Sequence, residues 1–168
     1  MWFALRREDL GFIQRAPVVH VAEAAAMAPS RAVFTALADA ADWPRWFPGV
    51  RAARYTSPPP HGVGTIREAL VSGTRWVEEM IVWEPDCRWG WTVTHASLPF
   101  ATAQVELFEL RPAGAATHVR WTLALEPRLL SRLGAPLTGR MMRSLWQRAM
   151  HNLAAGPPPA QDAAATSM

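Results

Sequence analysis

The sequence predicts an α+β chain in which seven antiparallel strands form one curved sheet wrapped around a long C-terminal helix. Three observations carry this expectation. From Val50 to Glu126 apolar and polar residues alternate in short runs, broken by turn signals at Ser57-Pro58, Ser72-Gly73, Pro85-Asp86, Leu98-Pro99 and Pro112–Gly114. Over about 136–154, Met141, Leu145, Ala149 and Leu153 recur every four residues, the stripe of an amphipathic helix. An antiparallel sheet must bury one face, and no other segment is long enough to cover it.

In chain order, residues 1–17 are an extension carrying Trp2, Phe3, Leu5, Leu10, Phe12 and Ile13, whose conformation the pattern leaves open. Val18–Met27 reads as the first strand. Two short helices follow: one opened by Ser30 as N-cap with Val33, Phe34 and Leu37 inward, the other a proline-punctuated turn over Asp42–Gly49. Val50–Thr56 is the second strand, ended by Ser57–Pro60. The central hairpin spans 62–71 and 74–83, and Cys87–Ala96, Phe100–Arg111 and Thr117–Glu126 complete the sheet. Pro136 suits the first turn of the last helix and Gly156 its stop. The folded domain is expected over 18–155, with residues 156–168 a disordered tail.

With 168 residues, half of them hydrophobic and nine of them Trp, the chain is long and apolar enough for one sizeable core. One cysteine, Cys87, excludes a disulfide framework and a cysteine-rich metal site. No apolar run approaches bilayer length, and a cytoplasmic location is expected. A net charge of +3 is too slight to indicate nucleic acid, although Arg128 to Arg148 holds five Arg and no acid. No metal site and no cofactor are expected, and the oligomeric state stays open between monomer and homodimer.

If Ser72-Gly73 is a two-residue hairpin loop, Val71 faces Thr74, Ala69 faces Trp76, Arg67 faces Glu78 and Thr65 faces Met80. One face then carries an Arg–Glu pair among apolar groups: either a surface rung or the polar end of a pocket. A four-residue turn at Pro85–Arg88 extends the register, so that Glu78 faces His95 and Met80 faces Val93. A turn at Ser97–Pro99 sets His95 against Ala101 and Val93 against Ala103. A loop over Pro112–Thr117 sets Leu107 against Trp121. In this register Arg67, Glu78 and His95 form one polar row, and Ala101 and Ala103 leave volume unfilled. A one-residue slip before Trp89 would instead turn Glu79, Ile81 and Trp83 inward.

The motifs Ala32-Val-Phe-x-x-Leu-x-Asp39, Trp43-x-x-Trp46-x-Pro48, Gly62-x-Gly64-x-x-Arg67, Glu78-x5-Glu84 and Thr117-x-Val119-x-Trp121 occur in fixed order. From Val18 to Ala155 the chain thereby resembles the START/Bet v 1-like helix-grip superfamily (SRPBCC), within it the polyketide cyclase/dehydrase and lipid transport group. The resemblance implies a sheet gripping the last helix around a cavity for lipids, polyketides, aromatic compounds or hormones, with Arg67 and Glu78 facing it. Plant abscisic-acid receptors are similar at these two positions, but the turn at Ser72-Gly73 is much shorter than theirs. The two-His-plus-carboxylate set of Rieske-type oxygenases has no counterpart.

The candidate ligand-binding residues are therefore Arg67, Glu78 and His95, with Trp76, Met80, Trp91 and Val93 beside them. Ala101, Ala103, Trp121, Met141, Leu145 and Asn152 complete the set. The expected function is binding or carriage of a hydrophobic small molecule. The alternative is a cyclase/aromatase-like enzyme with His95 or Glu78 as base and Arg67 stabilising an enolate. A third reading has the Arg128–Arg148 stretch touch RNA, the ribosome or an anionic membrane.

Overall fold

The computed structural model describes residues 1–128 and 135–156, with side chains described outside 129–143. Strands are β1 (Phe3–Ala4), β2 (Val18–Ala26), β3 (Val50–Tyr55), β4 (Ile66–Val71), β5 (Thr74–Glu84), β6 (Arg88–Ala96), β7 (Ala101–Ala113) and β8 (Ala116–Pro127). Helices are α1 (Phe12–Arg15), α2 (Ser30–Ala38), α3 (Trp43–Trp46) and α4 (Ala135–Ala155), with a 3-10 turn at Ala40–Asp42. Seven strands run antiparallel in the order β2-β8-β7-β6-β5-β4-β3, and β1 adds an eighth beside β6. The sheet thus has one more strand than expected, contributed by the N-terminal extension.

The central hairpin has the register its loop dictates. Ser72 (φ 49°) and Gly73 (φ 83°) both take positive φ, as a two-residue turn matching the strand twist requires. Val71 faces Thr74, Ala69 faces Trp76 and Arg67 faces Glu78. Beyond β5 the expected register fails, because the β5–β6 turn is one residue shorter than read, β7 and β8 pair one residue away from the expected register, and three extra residues bulge from the ladder. The β5–β6 turn holds three residues, with Asp86 at φ 65°. The β7–β8 turn holds two residues, Gly114 and Ala115, and in this ladder Phe108, not Leu107, faces Trp121. Pro112 remains in β7, itself exposed and opposite the buried Thr117. The bulges leave Ile81, Thr94 and Thr102 without a direct partner in their ladders.

Two apolar layers result. The inner face packs against α2, α3 and α4 through Met80, Trp83, Trp89, Trp91, Val93, Phe108, Val119, Trp121 and Leu123. From the helices come Val33, Phe34, Leu37, Trp43, Trp46, Trp146, Ala149, Met150 and Leu153. The bulge at Ile81 lets both Met80 and Trp83 join the inner layer while Ile81 packs outward. The outer layer consists of Ala103, Val105 and Ala124 under Phe12 of α1, with Leu10 and Ile13 alongside. Ser30 is the first residue of α2, not its cap; Pro29 holds that place, and the Ser30 hydroxyl lies 3.2 Å from that of Thr117.

Gly90 is a close-approach glycine. A Cβ there would lie 2.5 Å from the Glu106 carbonyl oxygen and 3.2 Å from Leu107 Cα, both backbone atoms. Gly90→Ala should therefore push β6 from β7 and destabilise by about 1–3 kcal/mol. Urea unfolding checks this; a variant as stable as the parent would show that the two strands yield freely.

Candidate functional site

A charged pair lies inside the sheet. Arg67 is 1% exposed and Glu78 5%, and the Arg67 Nε donates to Glu78 Oε2 at 2.6 Å. Burying a guanidinium is costly unless something replaces its water. Here three indoles do so: the guanidinium carbon sits 4.2 Å from the ring centre of Trp43, 4.5 Å from Trp91 and 4.8 Å from Trp89. The electron-rich ring faces attract the cation, and a flat guanidinium suits stacking better than an ammonium would. Trp43 is held by its own Nε1, which donates to the Leu37 carbonyl at 2.8 Å. Across β3, Tyr55 faces Arg67 and donates its hydroxyl to the Ala38 carbonyl. Burial raises the Tyr55 phenol well above its ordinary range, with the Arg67 charge opposing.

A second carboxyl belongs to the same interior. Glu106, 6% exposed, accepts from Gln104 Nε2 at 2.8 Å and from Trp121 Nε1 at 2.9 Å. Burial, and after it the Glu78 charge, pushes its pKa up to about 8; the two donors and Arg67 pull the other way. Near neutral pH Glu106 is therefore a carboxyl group that can hold or release a proton. The cluster also contains donors without hydrogen-bond partners: Arg67 Nη1 and the indole N–H groups of Trp89, Trp91 and Trp46 are all buried and unpaired. Buried donors are ordinarily satisfied, so this concentration in one place is unusual.

The sequence-derived candidates divide accordingly. Arg67, Glu78, Met80, Trp91, Val93, Ala101 and Trp121 are buried on the inner side. His95 is not among them. The bulge at Thr94 pairs Val77 with His95 and gives the inward place to Ala96, leaving His95 exposed with Nδ1 3.2 Å from the Thr94 hydroxyl. Ala103 is likewise corrected: the β7–β8 register pairs it with Glu126 and turns it to the outer layer beneath Phe12, while the bulge at Thr102 returns Ala101 to the inner side. Trp76 is half-buried, stacked with Phe100 at 6.4 Å, and lines a surface groove of about 190 Å³ with Trp2 and Arg75. Leu145 is half-buried. Asn152 ties helix to helix, donating to the Trp46 carbonyl at 3.0 Å. The side chain of Met141 lies outside the described residues.

Glu106 and Gln104 were missed because Ala103, Val105 and Leu107 form the more apolar parity of β7, and the apolar parity was read as inward. The available signal was the opposite series, Gln104, Glu106, Phe108 and Leu110, combined with a two-residue turn at Gly114-Ala115. A larger cavity of about 570 Å³ runs between β2 and α4, lined by His20, Ala22, Ala24, Trp146, Met150 and His151 among others. Trp146 lies 5.4 Å from Trp121, the indole that holds Glu106, so groove and cluster share a wall.

Among the described residues no group of three or more His, Cys, Asp or Glu is placed to hold a metal ion. Likewise, none of their helices is long and apolar enough to cross a membrane. Of the Arg128–Arg148 stretch, Arg128 donates to the carbonyls of Ala101 and Ala4. The side chains of Arg132, Arg140 and Arg143 lie outside the described residues.

A family model described as polyketide cyclase/dehydrase and lipid transport matches residues 18–156. An uncharacterised protein of Mycobacterium tuberculosis is 28% identical over 123 residues, 73% of this chain and 74% of that protein. Among solved structures, the ZhuI aromatase/cyclase from a Streptomyces species superposes with a TM-score of 0.69 at 12% identity, over 82% of this chain and 91% of its own. A Thermus thermophilus protein gives 0.67 at 18% identity, over 82% and 94%. A START superfamily protein from Mycobacterium smegmatis gives 0.65 at 14%, over 80% and 96%. At such identities the structural likeness speaks for the fold, and the family match speaks for the chain: it belongs to the polyketide cyclase/dehydrase and lipid transport family.

Proposed function

We propose that this protein binds a small, largely apolar molecule carrying oxygen acceptors, with its polar end at Arg67, Glu78 and Glu106. The observation that carries this reading is the set of buried, unpartnered donors, Arg67 Nη1 and the indole N–H groups of Trp89 and Trp91. A carbonyl or phenolic oxygen would satisfy them. The Arg67 charge is already balanced by Glu78, which favours a neutral acceptor over a second anion. The groove between β2 and α4 supplies space of ligand size, since such sites span about 300–1,000 Å³. A lipid, a polyketide or an aromatic compound meets this description.

Native mass spectrometry of the purified protein should reveal a co-purifying small molecule that denaturation releases. Binding of 8-anilinonaphthalene-1-sulfonate, followed by energy transfer from tryptophan, measures the same space. Ala22, half-buried on the groove wall, tests its location. Ala22→Trp should weaken binding of the probe by about tenfold or more. Unchanged probe affinity in a folded variant would remove the groove from the proposal.

One observation favours the enzyme reading as a second possibility. Glu106, with its pKa pushed up to about 8, is suited to donate or accept a proton near neutral pH, beside a cation able to steady an enolate. The aromatase/cyclase among the structural neighbours is consistent with that chemistry. In this reading Glu106 takes the role that the sequence had offered to His95 or Glu78.

A further inference from the structure

The strands β6 and β7 pair directly only from Arg88–Glu109 to Thr92–Val105. Beyond Thr92 they part, and the N-terminal extension fills the gap. Phe3 pairs with Ala96 and Ala4 with His95. The next two amides point opposite ways, as in a strand lying between two others: Leu5 N–H donates to Thr94 O on β6, and Arg6 N–H donates to Thr102 O on β7. Leu5 is buried and belongs to the inner core cluster, together with Val93, Ala96 and Ala101. The segment therefore forms part of the wall of the interior. On β7 it bonds Thr102, two residues along the strand from Gln104, which donates to Glu106.

What secures this segment differs from what secures the rest of the sheet. Inward it contributes Leu5. Outward it is held by ion pairs of Arg6 with Glu126 and of the adjoining Arg7 with Glu79, and by the Arg128 guanidinium on the Ala4 carbonyl. Exposed pairs of this kind contribute little and are screened by salt. Residues 3–6 also lie outside the span matched by the family. By contrast, the flanking β6–β7 ladder carries Trp89, Trp91 and Phe108, all fully buried.

We propose that residues 3–6 are a removable stave of the sheet, and that their release opens a seam between β6 and β7 through which ligand reaches the Arg67–Glu106 cluster. This rests on the ligand-binding reading above. The cluster is walled by the packed indoles of Trp43, Trp89 and Trp91, and the seam is where the surrounding wall is made of a short, separately held segment. The route runs past Leu5 and Val93 to Gln104, and the reaction or binding event itself needs no change in the remaining ladder.

Two measurements on the full chain test it. In native-state hydrogen exchange, the amides of Leu5 and Arg6 should exchange at least about a hundredfold faster than those of the β6–β7 ladder between Trp89 and Thr92. Exchange of both sets at one common rate, set by global unfolding, would overturn the proposal whether or not any ligand binds. The second measurement uses Ala4→Cys with His95→Cys in a Cys87→Ser background, since paired positions on neighbouring strands suit a disulfide. Oxidation should slow uptake of 8-anilinonaphthalene-1-sulfonate by about tenfold or more, and reduction should restore it. Equal uptake rates in the two redox states would overturn the seam and leave the binding reading standing. Uptake in neither state would count against the binding reading, and the exchange result would then decide the seam.

Discussion

Replacing Arg67 by Met should cost about 3–5 kcal/mol of stability, and Glu78→Gln a comparable amount, because each leaves a buried charge without its partner. The double variant should recover part of the loss, since no uncompensated ion remains. Arg67 sits 1% exposed among three indole faces, so its removal also forfeits their attraction for the cation. Glu78 has no such cage, and the double-mutant cycle separates the two contributions. Urea unfolding of the four proteins measures it. Losses under about 1 kcal/mol in both single variants would mean that the pair behaves as an exposed rung, contrary to its burial.

Glu106 should make the protein lose stability as pH rises from about 4.5 to about 8. Its folded pKa of about 8 stands above the ordinary carboxyl value of 4.5. Below both values the carboxyl is protonated folded and unfolded, and nothing is lost. Between them the unfolded chain has released the proton while the folded chain keeps it, so folding becomes less favourable with each step in pH. The slope approaches about 1.4 kcal/mol per pH unit and adds up to a few kcal/mol. Above pH 8 the contribution is flat. Glu106→Gln removes the titration and should become the more stable protein at pH 8–9, while differing little near pH 4.5. Urea midpoints of both proteins across this range report it. Parallel curves would show that Glu106 carries no raised pKa.

The central hairpin was legible because its loop leaves no choice: Ser72-Gly73 accepts positive φ at both positions, and a two-residue turn fixes every pair behind it. The Arg67–Glu78 pairing followed from counting alone. The strands beyond were not legible in the same way. Sidedness in a strand has period two, so a turn misread by one residue exchanges the faces of everything after it. Between β7 and β8 a pairing one residue away from the expected one put Ala103 and Val105 on the outer face and brought Gln104, Glu106 and Phe108 in.

Bulges compound the difficulty, because they change parity within a strand. Thr94 passes the inward place from His95 to Ala96, and Ile81 lets Met80 and Trp83 share the inner layer. Nothing in the local alternation marks these positions, since a bulge answers to the curvature of the whole sheet and to its neighbours. Sequence by itself determined that a curled antiparallel sheet and a C-terminal helix share one apolar interior, and that Arg67 stands opposite Glu78. Only the tertiary structure decided that both β7 faces are buried, because the outer one is covered by Phe12 from a segment about ninety residues away along the chain. For the same reason it alone placed the Glu106 carboxyl in the interior, bonded to Gln104 and Trp121, and not in water: apolar patterning records that a face is covered, but not which distant segment covers it.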